Sequence, residues 1–382
     1  MKIAFDGQLF MGGNKTGIAW SAHNLILELA KYPENECVIQ CFPLHHSNDK
    51  LKNLQVYEKA GCRVESCRWF HYALYKLVWI FVPIPYRIFF KSDADITHFF
   101  NYIAPPGVRG KCVAVVHDMA YQSCPQTVNK KTLYWLKISL KRSCRHVDHI
   151  ITDSNFSKSE IIKYLHIQPK RITVIPAAVD HSVYHADYTQ EQIKKVLNKL
   201  NIDREYFLYL GTIEPRKNLI KLISAYAKLC RKVDNVPRLV LAGGKGWLCE
   251  EIYKMAEDLS LADKVIFTGY IDQEDSPVLM CGAKAFVFPS LYEGFGMPPL
   301  EAMACGTPVI VSNTTSLPEV VGDAGILVNP CSEIEIFMAM KTLLEDDAYR
   351  EKLRRQGIER AKKFTWEKSA RRLMRVYREL CS

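Results

Sequence analysis

The chain has 382 residues, 48% hydrophobic and 24% charged, which excludes an intrinsically disordered protein and suggests two or three domains. Lys and Arg exceed Asp and Glu by 51 − 41 = 10, a surplus that suits anionic partners such as phosphorylated ligands, acidic membranes or nucleic acid, or serves solubility alone. The 13 cysteines form neither a CxxC pair nor a cluster with zinc spacing, so they read as reduced thiols of a cytoplasmic protein.

The opening MKIAFDG reads as a strand rather than a leader. Short β-branched runs predict further strands at 37–42, 95–100, 112–117, 148–152 and 172–176. Amphipathic patterns between them predict helices at 18–31, 130–146 and 157–165, the last with Ser157 and Glu160 as a capping box. The apolar stretch 69–90 is interrupted by Lys76, Pro83, Pro85 and Arg87, and so falls short of the about 18 uninterrupted apolar residues of a membrane span. A polar, Lys-rich segment at 178–205 carries no strand signal and reads as the join between two halves.

The second half repeats the plan. Strands are predicted at 206–211, 238–243, 264–269, 285–289, 308–311 and 325–328, and helices at 218–232, 248–259, 299–305 and 333–345. Strands alternating with helices imply α/β architecture: two doubly wound, Rossmann-like parallel-sheet domains, facing each other across a ligand cleft. The boundaries are drawn at 1–185 and 186–365, with a closing helix at 366–382.

The segment LYEGFGMPPLEAMACGTPVI (291–310) carries the densest chemical signal. Pro298 and Pro299 suit a helix's first turn, and Gly306 suits its C′ position. Glu293 then lies on a loop at a strand's carboxyl end, and Glu301 in the first turn of the following helix. Glycines let backbone approach a ligand, and a helix N-terminus attracts phosphate. Carboxylates beside a phosphate site make sense as acceptors for sugar hydroxyls. A nucleotide sugar fits: Glu301 holds the ribose and Glu293 the transferred sugar. The plainer alternative is a helix-terminus charge and a surface loop residue. In LGTIEPRKNLIKLISAY (210–226), Arg216 and Lys217 stand at a strand-to-helix turn and suit a pyrophosphate, or are ordinary solvated charges. GGNKTGIAW (12–20) is a glycine-rich anion loop in outline, neither GxGxxG nor Walker A. His117 and Asp118 end another strand. The only D-x-D, at 93–95, leads into a strand and reads as structural.

Through the E-x7-E block, GTIEPRKN, VVHD, TDSNFSKSEI, VIPAAVD and FTWEKSA, the chain resembles the retaining GT4 glycosyltransferases of GT-B fold, closely over 205–330 and loosely over 40–110. The resemblance implies a nucleotide-diphosphate sugar donor held mainly by the C-terminal domain, and a last helix that crosses back to the N-terminal domain. Arg216 and Lys217 resemble the phosphate-binding pair. Glu301 resembles the ribose ligand. Glu293 with Gly294, Phe295, Gly296 and Met297 resembles the donor-sugar site, with Gly211 and Thr212 at the neighbouring turn. His117 resembles the N-domain histidine that reaches the donor sugar, and Gly17 the glycine loop facing the phosphates. The chain departs from the family pattern with G-I-A in place of G-I-G, with Thr212 where many relatives carry a basic residue, and with Ala178 for a common glycine.

The implied reaction is a metal-independent, retaining transfer of a mannose-, rhamnose- or glucose-type hexose, with no cofactor. Preorganised cations stabilise the leaving diphosphate. A carboxylate gripping a vicinal diol slightly favours UDP or GDP over deoxythymidine donors. The acceptor is expected to be a glycan or polyprenyl-linked sugar of bacterial surface polysaccharide, lipopolysaccharide or capsule. The aromatic, basic stretch 69–91 (Trp69, Tyr72, Trp79, Tyr86) suits peripheral contact with the inner face of the plasma membrane, or is a buried helix and loop. The alternatives are a sugar-nucleotide epimerase on the same fold or an inactive sugar-binding relative. A nucleic-acid binder is disfavoured, because no RNP-type pattern or recognition helix appears.

Overall fold

A computed structural model describes residues 1–12, 17–43, 51–79, 82 and 84–382, without the side chains of residues 76 and 77. Two compact units emerge. The first comprises Met1–Ser123, Lys130–Ala177 and Trp366–Ser382; the second comprises Cys124–Asn129 and Ala178–Thr365. The division therefore falls before Ala178, and the helix Gln190–Lys199 belongs wholly to the second unit.

The first unit holds β1 (Lys2–Asp6), β2 (Glu36–Cys41), β3 (Arg63–Ser66), β4 (Ile96–Phe99), β5 (Lys111–Val115), β6 (His149–Thr152) and β7 (Ile172–Val174). They form one parallel sheet in the order β3-β2-β1-β4-β5-β6-β7. β1 and β4 are buried along nearly their whole length, Thr97 and His98 of β4 included, which explains why neither strand alternates apolar with exposed polar residues. β3 was not predicted from the sequence. It is an edge strand reading RVES, half exposed and recognisable only through its register with β2, Val38 opposite Arg63.

The helix predicted at 157–165 starts earlier, at Asn155. Its cap is Ser154, in extended backbone (φ −144°, ψ 160°), whose hydroxyl accepts the Ser157 N–H at 3.0 Å. Ser157 therefore lies inside the helix and is not its cap. Its own hydroxyl donates to the His117 carbonyl at 3.0 Å, and Glu160 accepts from Ser123 at 2.6 Å.

The closing helix Trp366–Cys381 packs on the helix Gly17–Ala30, and Tyr377 hydrogen-bonds the fully buried His98. The expected glycine loop at 12–20 lies partly outside the described residues, at 13–16; Gly17 is the exposed first residue of its helix. Both carboxylates of the D-x-D stretch are structural: Asp95 accepts the Lys2 N–H at 2.8 Å, and Asp93 pairs with Arg109 at 3.4 Å.

The second unit holds β8 (Tyr206–Leu210), β9 (Arg238–Ala242), β10 (Val265–Gly269), β11 (Ala285–Phe288), β12 (Val309–Ser312) and β13 (Gly325–Val328), all parallel, in the order β10-β9-β8-β11-β12-β13. Strand order reverses between β8 and β11, which lie side by side with Ala285 opposite Phe207. Open α/β sheets bind ligands at such a switch point, off the strands' carboxyl ends.

The stretch 69–91 divides. Residues 80, 81 and 83 lie outside the described residues. Tyr75, Trp79, Tyr86, Phe89 and Phe90 fill the cluster over β4 and β5, together with Leu136 and Leu140. Trp79 and Tyr86 are 1% and 3% exposed, so they cannot serve as interfacial anchors, whereas Trp69 is 63% exposed. No helix among the described residues is long and apolar enough to cross a membrane. Trp79→Ala should lower unfolding free energy by about 3–5 kcal/mol in a denaturant titration; a change below about 1 kcal/mol would place this ring outside the core.

Candidate functional site

The turn after β8 and the loop after β11 meet in one charge cluster. Arg216 and Lys217 occupy a short 3-10 turn, Pro215–Lys217, that ends on Asn218 in the left-handed region (φ 60°, ψ 35°). The Asn218 amide donates to the carbonyls of Pro289 and Pro330, at 3.0 and 2.7 Å, which ties this turn to the start of the β11 loop. A backbone bond from Leu291 N–H to Arg216 O at 2.9 Å does the same.

Within that frame the Arg216 guanidinium donates to Glu214 at 2.7 Å, to Glu293 at 3.1 Å and to the Tyr292 carbonyl at 2.7 Å. The Lys217 ammonium donates to Glu293 at 2.6 Å and lies 4.8 Å from the centre of the Phe288 ring. Glu214, Lys217 and Glu293 are all buried. Two cations and two carboxylates thus neutralise one another away from water, the arrangement burial requires. Burial alone would raise Glu293, but Lys217 and Arg216 hold it down at about 2. Burial and the neighbouring Arg216 charge lower the Lys217 ammonium from its ordinary value, with Glu293 opposing.

The β11 loop is fixed from below. Ser316, fully buried, donates to the carbonyls of Glu293 and Phe295 at 2.9 and 2.8 Å, and Thr315 accepts the Glu293 N–H at 3.2 Å. Gly296 caps the next helix, Met297–Ala304, at φ +113°. A Cβ there would lie 2.6 Å from Leu317, so both the dihedral and the space demand glycine. Gly306, at φ +75°, follows the helix end as predicted. Because the helix begins at Met297, with the prolines at its second and third positions, Glu301 falls beyond the first turn, not within it. Burial pushes Glu301 up to about 7, against a hydrogen bond from Tyr184. Phe295 is buried beside Phe364, while Gly211 is half-buried and Thr212 exposed at the β8 turn.

The first unit has its own polar centre. His117 follows β5, and the residues flanking it come from both neighbouring strands. Its Nδ1 pairs with Asp153, after β6, at 2.6 Å, and its Nε2–H donates to the Phe100 carbonyl, after β4, at 2.8 Å. A carboxylate and a carbonyl are both acceptors, so these partners favour the imidazolium form of the ring. Burial would lower its pKa, but Asp153 and the Phe100 carbonyl raise it. Among the described residues no group of three or more His, Cys, Asp or Glu could hold a metal ion.

The comparisons agree with this geometry. The family described as "Glycosyltransferase Family 4" matches residues 16–183, and "Glycosyl transferases group 1" matches 190–364. O-antigen chain mannosyltransferase B of Escherichia coli is 36% identical over 75% of this chain and 74% of its own length. The chain belongs to glycosyltransferase family 4. The serotype-specific mannosyltransferase WbdA of E. coli is 34% identical over 74% of this chain, which spans about a third (35%) of that longer protein. Among solved structures, sucrose-phosphate synthase from Thermosynechococcus elongatus (20% identical) and Anabaena HepE with UDP and glucose (18%) each give a TM-score of 0.74. Each covers 99% of this chain, with 98% and 100% of the respective neighbour aligned. These likenesses establish the GT-B glycosyltransferase fold, and the chain is a glycosyltransferase.

The structure brings Arg216, Lys217 and Glu293 of this glycosyltransferase into direct contact, with Gly294, Phe295, Gly296, Met297 and Glu301 on the same loop and helix. The sequence did not single out Glu214, Asn218, Thr315, Ser316 or Asp153 as members. Glu214, two positions before Arg216, was the most legible of them. Asn218, Thr315 and Ser316 act through amide and hydroxyl contacts that leave no charge pattern, and Asp153 through a carboxylate 36 positions from its histidine. Glu293→Ala, which strands a buried ammonium, should cost about 3 kcal/mol or more of stability without ligand. Adding Lys217→Ala should recover part of that loss in a double-mutant cycle. Strict additivity of the two losses would show that the pair is not coupled.

Proposed function

We propose that this glycosyltransferase moves a mannose-type hexose, with retention and without a metal, from a ribonucleoside-diphosphate sugar to a glycan or lipid-linked acceptor of bacterial surface polysaccharide. The observation that carries the reading is the Glu214–Arg216–Glu293–Lys217 cluster at the switch point of β8 and β11. Its support from relatives is that two are O-antigen chain mannosyltransferases by name.

In this reading the diphosphate takes over Arg216 and Lys217 from Glu293. The cations then stabilise charge on the leaving group as the sugar–oxygen bond breaks. Glu293, released from its ion pairs, turns its oxygens to the sugar hydroxyls. The ion pairs keep the cations folded and oriented before the donor arrives, so little reorganisation is left for the reaction itself. Glu301 accepts the ribose hydroxyls, most strongly when it is ionised.

The test is turnover on a panel of GDP- and UDP-sugars with a mannosylated acceptor. The anomeric configuration of the product is read by NMR, and donor alone is incubated to expose any epimer. Lys217→Ala should lose about a hundredfold or more in turnover, and EDTA should leave the wild type active. Near-normal turnover of the variant at saturating donor would refute the phosphate role, and abolition by EDTA would refute metal independence.

The raised Glu301 adds a pH test. Ionisation of a carboxyl with pKa of about 7 goes from roughly a tenth to nine-tenths between about pH 6 and 8, so donor affinity should rise about tenfold across that range. Glu301→Gln should flatten the dependence; an unchanged slope in the variant assigns the titration elsewhere.

A further inference from the structure

All 13 cysteines are free thiols. One pair of them stands where the second unit can be reached from outside. Cys281 ends the helix Asp275–Cys281, and Cys305 caps the helix Met297–Ala304 that carries Glu301. The two thiols hydrogen-bond each other. The Cys281 sulfur also lies 3.3 Å from the Cys305 carbonyl oxygen and 3.2 Å from that of His185. Thiols already in contact are a short movement from the about 2 Å of an S–S bond.

The pair is asymmetric. Cys305 is 3% exposed, and burial pushes its thiol up, with Cys281 adding to the rise. Cys281 is half-buried. Its thiol is held below the ordinary value by the bond to Cys305, then by the Arg354 charge and the Tyr188 N–H, with burial and Asp187 opposing. A lowered pKa and partial exposure suit an attacking thiol, and a thiol in contact behind it can resolve the product. Cys37 and Cys62 in the first unit are also in contact, but only 3% and 5% exposed.

A groove of about 250 Å³ opens on Cys281, with Glu205, Lys284, Gly306, Arg350 and Arg354 in its lining. It lies at the amino ends of β8, β11 and β12, opposite to the loops that carry Arg216 and Glu293. Its charges are paired: Lys284 with Glu205 at 3.2 Å, Arg350 with Asp347 at 2.6 Å, and Arg354 with Glu351 at 3.6 Å. A lining of both signs suits a zwitterionic peptide. The segment 184–188 ties the pair to the donor side. The His185 N–H reaches the Cys305 sulfur, and the Tyr188 N–H that of Cys281. The Tyr184 hydroxyl bonds the Glu301 carboxylate and opposes the rise that burial causes. The Cys305 N–H bonds the Glu301 carbonyl oxygen at 3.0 Å.

We propose that Cys281 and Cys305 are a thiol–disulfide exchange site, reached through this groove by a small peptide disulfide such as that of glutathione, and that closing the pair weakens donor binding. The Cys281 thiolate attacks one sulfur of the incoming disulfide and expels one thiolate. Cys305 then attacks the Cys281 sulfur and expels the second. The protons of the two protein thiols pass to the two leaving thiolates, so the protein pair is oxidised and the peptide disulfide is reduced to two thiols. Closure removes both thiol donors and weakens both sulfurs as N–H acceptors. The 184–188 segment then loses its hold, Tyr184 leaves Glu301, and Glu301 is less ionised at neutral pH. This consequence rests on Glu301 holding the ribose, whereas the exchange itself does not.

The folded full chain is incubated with oxidised glutathione, free thiols are alkylated, and peptides are mapped by mass spectrometry. A Cys281–Cys305 link should form, and dithiothreitol should reverse it. Cys305→Ser should stop at a glutathione adduct on Cys281, and Cys281→Ser should leave Cys305 unmodified. The closed wild type should bind UDP or GDP about tenfold more weakly in calorimetry, the worth of a hydrogen bond to a charged group. Tyr184→Phe should reproduce that loss without oxidant. A Cys281 that stays free while the exposed Cys331 and Cys381 are modified overturns the exchange site. Equal nucleotide affinity of the closed and open forms overturns the coupling. If the link maps but neither form binds a nucleotide, the exchange site is upheld and the donor reading alone fails.

Discussion

Two basic side chains and two carboxylates, Arg216, Lys217, Glu214 and Glu293, form one cluster with no net charge, in which Glu214, Lys217 and Glu293 are buried and Arg216 is half-buried. The organisation of the second unit's polar end follows from that constraint. A buried ammonium or guanidinium is tolerated only with a counter-charge in contact. Here the counter-charges come from two different loops, so the turn after β8 and the loop after β11 have to fold against each other. Asn218, Thr315 and Ser316 complete the joint by satisfying backbone groups that burial would otherwise leave unpaired. The crossover that makes β8 and β11 neighbours is what allows loops 76 residues apart in sequence to share these ion pairs.

The first unit solves a similar problem with fewer groups. His117 is held between the residues following β4 and β6, and Asp153 and the Phe100 carbonyl together favour its charged form. Both ring nitrogens are engaged within the unit. The ring is held in one orientation by these two partners, and the loop behind it is pinned by Ser157. In both units the chemistry-bearing residues stand where parallel strands deliver their carboxyl ends, while the strands themselves are apolar core.

The basic surplus of the chain is therefore not of one kind. Arg216 and Lys217 are neutralised by Glu214 and Glu293, with Lys217 buried and Arg216 half-buried. Lys130, Lys131, Lys137, Lys141 and Arg145 of the helix Lys130–His146 are exposed, and that helix has no acid of its own. Composition sums these together, but burial separates them: one set is part of a folded site and the other part of the surface field.

The sequence by itself determined the alternation of strands and helices, the parallel α/β class and the two loops that carry Arg216, Lys217, Glu293 and Glu301. These follow from local periodicity and from prolines and glycines whose backbone demands are local. It did not determine β3, whose polar edge residues show no apolar period, nor the Ser154 cap, because the helix start depends on one residue's extended backbone. Only the tertiary structure decided that Trp79 and Tyr86 are core and that Glu293 is paired with both cations. It also decided that Asp153 favours the charged form of His117 and that Glu301 is pushed up to about 7. Each of these is a property of burial and of contacts between distant segments, and neither is written in the spacing of residues along the chain.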